Sequence, residues 1–167
     1  MKHGFFRYAS LLIALAALQG CDVVMDSNDN ENMNDDTGGD VALSFGATVS
    51  GDQEVPPVEG DGTGAADFDI SEDGTSVTFT ITAEGLTGPV TAMHLHMGAA
   101  GENGGVIVDL GDAIENGDDG TMTANGTASL DSGVADSIRA GNVYLNIHTD
   151  ANPSGEIRGQ LEENPMQ

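Results

Sequence analysis

The chain has 167 residues, of which 28 are acidic and only 4 are basic, so its formal net charge is −24. Phosphate groups are bound by basic surfaces, and this charge therefore argues against nucleic acid and anionic lipid headgroups as partners. The same charge favours a soluble monomer because like charges repel each other. Aromatic residues make up 4% of the chain and tryptophan is absent, so we expect a modest aliphatic core in one domain.

The first twenty residues have the pattern of a secretory signal of the lipoprotein type. Lys2 and Arg7 precede the apolar run 11–18, and a small residue stands directly before Cys21. The run is too short to span a bilayer comfortably, and a lone cysteine after a small residue suits cleavage and lipidation. We therefore predict a signal peptide over residues 1–20 and a lipid on Cys21 that anchors the protein to a membrane of the cell envelope, facing the periplasm or the cell surface. An ordinary membrane anchor with an incidental cysteine is the alternative.

Residues 21–40 contain Asp, Asn, Glu, Ser, Thr and Gly and almost nothing that could be buried. This composition predicts an acidic, disordered, self-repelling tether. Removing residues 1–20 would leave two basic side chains against 28 acidic ones, a formal charge of −26. Because Cys21 is the only cysteine, the domain after the tether must be held by its core, or by a metal, without a disulfide.

A period-two alternation of apolar side chains begins at Val41 and predicts strands for most of the remaining chain. The first strand breaks at the two prolines 56–57, and the segments 66–70 and 77–81 flank Asp73-Gly74 as a predicted hairpin. Further strands are expected at 90–97, 106–110, 122–130, 143–149 and 156–161.

One short helix is expected at Val134–Arg139, with Asp131 or Ser132 as its cap and Gly141 at its exit. Together with about eight short alternating strands, this predicts an all-β fold, an antiparallel Greek-key sandwich or barrel of the immunoglobulin or superoxide dismutase kind.

The predicted domain has three histidines, His94, His96 and His148. Within 93–97 and within 143–148 they alternate with apolar residues, so each should lie on the face opposite its strand's apolar row. Paired strands would then bring all three rings together, with nitrogen atoms within about 4 Å of each other if they share one zinc ion. The apolar row of the first strand, which we expect in the core, is Met93, Leu95 and Met97.

Three blocks of sequence resemble a known family. They read Gly-Asp-Gln-Glu-Val-Pro-Pro-Val at 51–58, His-Leu-His-Met-Gly-Ala-Ala-Gly at 94–101, and Tyr-Leu-Asn-Ile-His-Thr-Asp-Ala-Asn-Pro-Ser-Gly-Glu-Ile-Arg-Gly-Gln-Leu at 144–161. The chain resembles the CHRD domain family over 43–161, and we place the domain at 41–162 with a tail at 163–167.

The family is named after chordin, an extracellular antagonist of bone morphogenetic proteins, and includes secreted and lipid-anchored bacterial proteins. The resemblance implies no growth-factor role here, since the cysteine-rich modules of chordin are absent from this sequence.

Three functions compete. The histidines could bind copper or zinc, with Asn146, Asp150 and Glu156 as candidates to support the ligands. Alternatively they could hydrogen-bond the backbone of the glycine-rich loop and of 152–153, in a metal-free module that binds a protein or a glycan. Catalysis is the least favoured reading, because the domain has no cysteine nucleophile and no nucleophile-elbow motif.

Arg158 is one of two basic residues in the predicted domain, and we expect an ion pair with Glu156 or another acid.

Overall fold

The computed structural model describes residues 41–164, so the predicted signal peptide, Cys21 and the tether lie outside the described residues. This part of the chain is all β with one short helix, which confirms the predicted fold class. The elements are β1 (Val41–Ser50), β2 (Thr63–Ser71), β3 (Ser76–Glu84), β4 (Val90–Met97), β5 (Val106–Asp109), β6 (Ile114–Asn116), β7 (Met122–Ser129), α1 (Val134–Arg139), β8 (Val143–Thr149), β9 (Ile157–Gln160) and β10 (Glu162–Glu163).

The ten strands form one antiparallel sheet in the order β5-β4-β8-β9-β1-β2-β3-β7-β6, and β10 pairs with β1. The count exceeds the expected eight because β6 and β10 are short and carry no apolar alternation that a sequence pattern would reveal. In β10, Glu163 pairs with Phe45, so strand pairing continues into the segment expected as a tail.

The sheet curls until its two ends meet. The amide of Asn116, on the edge strand β6, donates to the carbonyl of Val90 at 3.0 Å and accepts from the Val90 N–H at 2.7 Å. This side chain therefore imitates a backbone bridge between β6 and β4. Apolar side chains from both ends of the sheet, such as Leu95 and Phe79, lie in the same core cluster inside the curl.

The predicted hairpin is confirmed by the register of β2 and β3. Phe68 lies opposite Phe79, their ring centres are 6.5 Å apart, and both residues are buried. Gly74 has φ of +68°, a left-handed conformation that glycine adopts without strain. Asp73 accepts hydrogen bonds from Ser71 and Thr75 and so orders the turn.

The helix α1 spans the predicted residues, and Gly141 at its exit has φ of +72°. Its expected cap is wrong: the cap position is Gly133, and no side chain caps it. The chain reaches the helix through a tight turn in which the Val134 N–H donates to the backbone carbonyl of Asp131 at 3.1 Å, so Ser132 and Asp131 lie too early. No helix within residues 41–164 is long and apolar enough to cross a membrane.

Strand β8 departs from the expected pattern of one buried and one exposed face. Every residue of β8 is buried, including Tyr144, Asn146 and His148 on its polar side. Loops cover this side of the sheet and so enclose a layer of polar side chains. In β4, by contrast, Met97 is 37% exposed instead of buried in the core, because it is the last residue of its strand.

Candidate metal centre

The register of β4 and β8 brings the three histidines onto one face. His94 lies opposite Asn146, His96 opposite Tyr144, and His148 opposite Ala92. Residues directly opposite each other on paired strands share a face, so the three histidines lie on one face of the sheet, as their alternation with apolar residues predicts. One nitrogen from each ring lies within 4.8 Å of the other two. The prediction of about 4 Å between all three nitrogens is met by His94 Nδ1 and His148 Nε2, which are 3.2 Å apart, but the full set of three is only within 4.8 Å.

Two of the rings are oriented by backbone carbonyls. His96 Nδ1 lies 3.0 Å from the carbonyl oxygen of Gly104, and His148 Nδ1 lies 3.2 Å from that of Pro153. A carbonyl can only accept, so both Nδ1 atoms carry the proton and, in the neutral rings, both Nε2 atoms present a lone pair. Burial lowers the pKa of both histidines, which favours these neutral forms.

These bonds are the ones expected for the metal-free alternative, but they occupy only one nitrogen of each ring. His96 Nε2 is buried and has no hydrogen-bond partner among the described residues. His94 Nδ1 lies 3.2 Å from His148 Nε2, and His94 Nε2 lies 3.9 Å from Asp109 Oδ1. The side chain of His94 is 21% exposed, so the cluster is open to solvent on the His94 side.

The loop that holds His96 is fixed by Arg158, which is buried on β9. Its guanidinium donates to the Asn103 side-chain oxygen at 3.2 Å and to the Glu102 carbonyl at 3.1 Å. A Cβ on Gly104 would lie 1.4 Å from the Met97 carbonyl oxygen, so only glycine lets the chain pass close enough for its own carbonyl to meet His96.

Arg158 also takes part in a stack of three planar groups. Its guanidinium carbon lies 3.6 Å from the ring centre of Tyr144, and the Tyr144 ring stacks on His96 with 5.0 Å between centres and 11° between planes. The predicted ion pair of Arg158 with Glu156 or another acid is wrong. Among the described residues Arg158 forms no ion pair, because it points toward Tyr144 and the glycine-rich loop. The acid it influences is Glu54, whose pKa burial raises to about 7 although the charge of Arg158 opposes the rise.

The loop that holds His148 is fixed by Glu156. Its carboxylate accepts from the N–H of Thr87 at 2.7 Å, from the Thr149 hydroxyl at 2.5 Å and from the Asn152 amide at 3.1 Å. These hydrogen bonds hold the pKa of Glu156 below its usual value despite its burial. Glu156 thus secures the segment that carries the Pro153 carbonyl.

The other two candidate supporting residues lie in different surroundings. Asn146 is buried on the histidine face, and its Oδ1 has no partner among the described residues. Asp150 is exposed in the loop after β8.

Several residues of the site did not emerge from the sequence analysis. Tyr144 could have been found, because it alternates with Asn146 and His148 along one strand face. The carbonyls of Gly104 and Pro153 could not, since any residue offers a carbonyl and only the folded loops show where it points.

The donor set fits copper or zinc. Neutral imidazole nitrogens are common ligands of both metals. Two nitrogens at 2.0–2.1 Å from a tetrahedral ion lie about 3.3–3.4 Å apart, and the nearest pair here, on His94 and His148, is separated by 3.2 Å. In two of the rings the other nitrogen donates to a backbone carbonyl, which is a usual means of fixing the orientation of a metal-binding histidine.

Comparison with known proteins adds the family. A search of curated proteins finds no match to this chain. The family model described as the CHRD domain matches residues 45–161, which include every residue of the histidine cluster and of the two loops behind it. The chain belongs to the CHRD domain family.

Proposed function

We propose that this protein binds one copper or zinc ion through His94, His96 and His148. The observation that carries the proposal is the convergence of one nitrogen from each ring within 4.8 Å. On two of the rings a backbone carbonyl already occupies the other nitrogen, so the lone pairs that remain belong to the cluster.

A purely structural role explains the cluster less well. One hydrogen bond between His94 and His148 uses one nitrogen of each ring but leaves His96 Nε2 buried with no partner among the described residues. Burying an unsatisfied polar atom costs about 1–3 kcal/mol. A metal ion that takes one lone pair from each ring would remove that cost.

The test is elemental analysis of the tag-free protein purified without added metal, followed by calorimetric titration with Cu(II), Cu(I) and Zn(II). We expect one equivalent of metal per chain, and we expect His94→Ala, His96→Ala and His148→Ala each to abolish stoichiometric binding. Thermal unfolding of each metal-free variant separates lost ligation from lost structure. Less than stoichiometric binding by the parent protein would instead favour the metal-free module that recognises a protein or a glycan.

We further propose that the domain is exported and held to the membrane by a lipid on Cys21. The support is the order of charged residues, apolar run and lone cysteine in residues 1–21. Cys21→Ser should move the protein from the membrane fraction to the soluble fraction. An unchanged membrane fraction, together with a parent mass that lacks acyl chains, would contradict the lipoprotein assignment.

A further inference from the structure

Asp109 lies directly across the strand pair from His94. It is opposite His94 in the register of β4 and β5, and its Oδ1 is 3.9 Å from His94 Nε2. The same oxygen accepts the backbone N–H of Gly111 at 2.8 Å, so the carboxylate is oriented although its side chain is 76% exposed. Asp109 is not among the residues whose potential ligand atoms cluster within 4.8 Å, which places it behind His94 and outside the ligand set.

Proton positions explain why the gap to Asp109 is 3.9 Å. His148 Nδ1 must donate to the Pro153 carbonyl, so its Nε2 is an acceptor when the ring is neutral. The bond of 3.2 Å from His94 to that atom then requires the proton of neutral His94 on Nδ1. His94 Nε2 consequently turns a lone pair toward the carboxylate, and two acceptors do not form a hydrogen bond.

Metal binding reverses this arrangement. A metal could bind His94 Nδ1 only in the tautomer whose ring proton lies on Nε2, facing Asp109. From this geometry we propose that Asp109 is the positioning residue of the metal site, which accepts the His94 Nε2–H only when Nδ1 is a ligand. This inference rests on the proposed metal binding at the same histidines.

The carboxylate therefore interacts differently with the two forms of the ring. It faces a lone pair in the metal-free protein and an N–H donor in the metal-bound protein, and only such a differential interaction shifts a binding equilibrium. Removing an outer partner of a metal-ligating histidine lowers metal affinity by about 10–100-fold. Asp109 is thus a determinant of affinity that never touches the metal.

The experiment compares Asp109→Ala and Asp109→Asn with Asp112→Ala as a matched control, an exposed acid three residues away on the turn after β5. Calorimetric titration with Zn(II) measures affinity, and ¹⁵N–¹H spectra of the imidazoles report which nitrogen of His94 carries the proton. We expect about a 10–100-fold weaker affinity for Asp109→Ala and less than a twofold change for Asp112→Ala. Asp109→Asn should fall between them, because its amide oxygen still accepts from Gly111 and from His94 but lacks the charge.

The spectra should show the proton of parent His94 on Nδ1 without metal and on Nε2 with Zn(II). Equal affinities of Asp109→Ala and Asp112→Ala, or a His94 proton that stays on Nδ1 in the Zn(II) form, would overturn the role of Asp109. A parent protein that binds no Zn(II), Cu(I) or Cu(II) would overturn the metal site itself, so the two failures are distinguishable.

Discussion

Strands β3 and β8 show the same alternation in sequence and have opposite surroundings. In β3, buried residues such as Phe79 alternate with exposed ones such as Thr78 along the whole strand. In β8 all seven residues are buried, and the polar side of the strand is covered by the loops that Arg158 and Glu156 hold in place. Alternation thus identifies a strand and its core face, whereas covering of the second face depends on segments distant in sequence.

The covered face is built from polar groups that need partners. Peptide and side-chain polar groups lose their bonds to water when buried, and each one left unpaired costs about 1–3 kcal/mol. On this face Glu54 Oε1 and Asn146 Oδ1 have no partner among the described residues. A Cβ on Gly155 would lie 2.5 Å from each of these two oxygens, so the backbone itself fills the space beside them.

The largest expected effect comes from removing a large buried side chain of β3, the strand with one buried and one exposed face. Phe79→Ala should lower the free energy of unfolding by about 3–5 kcal/mol, because it leaves a cavity beside Phe68 in the packed core. Metal affinity of the folded variant should stay within twofold of the parent, since Phe79 lies outside the histidine cluster. Chemical denaturation and calorimetric titration give the two values. A loss below about 1 kcal/mol would place Phe79 outside the core.

The β2–β3 hairpin and the face shared by the histidines were predictable from local sequence. The hairpin of β2 and β3 follows from alternation around Asp73-Gly74, because burial of one strand face and turn geometry are both local properties. The shared face of His94, His96 and His148 follows from the same parity. Alternation shows which face of a strand a side chain lies on, but it does not give the distances between side chains. The pairing of β4 with β8 also includes an irregular step between Val90 and Ala92 that no sequence pattern indicates.

The supporting structure of the site was not predictable for a different reason. Glu54 follows the turn after β1, and its elevated pKa arises from burial, beside residues far along the chain such as Gly155. The oxygen atoms that orient His96 and His148 belong to the backbone, so they leave no trace in residue identity. The histidines are recognisable from residue identity, whereas the loops that orient them depend on contacts between segments far apart in the chain.

Glu54 allows a second test, now on the covered face. Burial raises its pKa from an ordinary 4.5 to about 7, so the folded state binds this proton more tightly than the unfolded state. Stability from this group is therefore greatest below pH 4.5 and is lost as the pH rises toward 7. In the metal-free protein Glu54→Gln should remove this loss, so that its free energy of unfolding gains about 2–3 kcal/mol on the parent between pH 4 and pH 8.

The quantity to measure is the difference in the free energy of unfolding between the parent and Glu54→Gln, by denaturation at a series of pH values. His96 and His148 have lowered pKa values and contribute in the opposite direction, becoming more favourable as the pH rises toward 6.5. Both proteins contain these histidines, so subtraction cancels them. Parallel stability curves for the parent and for Glu54→Gln would show that Glu54 titrates alike in the folded and unfolded states.

The smallest expected effect compares the loss of one hydroxyl on each kind of face. The Tyr144 hydroxyl accepts from the Gly104 N–H at 3.2 Å, next to the carbonyl that orients His96, while the Thr78 hydroxyl bonds Thr127 at 3.1 Å on the exposed face of β3. Tyr144→Phe keeps the ring between Arg158 and His96 and removes only the hydroxyl. We expect it to lower the free energy of unfolding by about 1 kcal/mol, and Thr78→Val to lower it by less than 0.5 kcal/mol because water replaces an exposed bond at little cost.

Metal affinity separates the two variants more sharply than stability does. Without the Tyr144 hydroxyl, the Gly104 N–H loses its hydrogen bond. The Gly104 carbonyl that orients His96 should then move more freely, and Zn(II) should bind a few-fold more weakly. Thr78→Val should bind Zn(II) like the parent, since the Thr78 hydroxyl bonds Thr127 on the exposed face of β3. If Tyr144→Phe also bound like the parent while losing the same stability as Thr78→Val, the covering of β8 would serve packing alone and the loop would not tune the metal site.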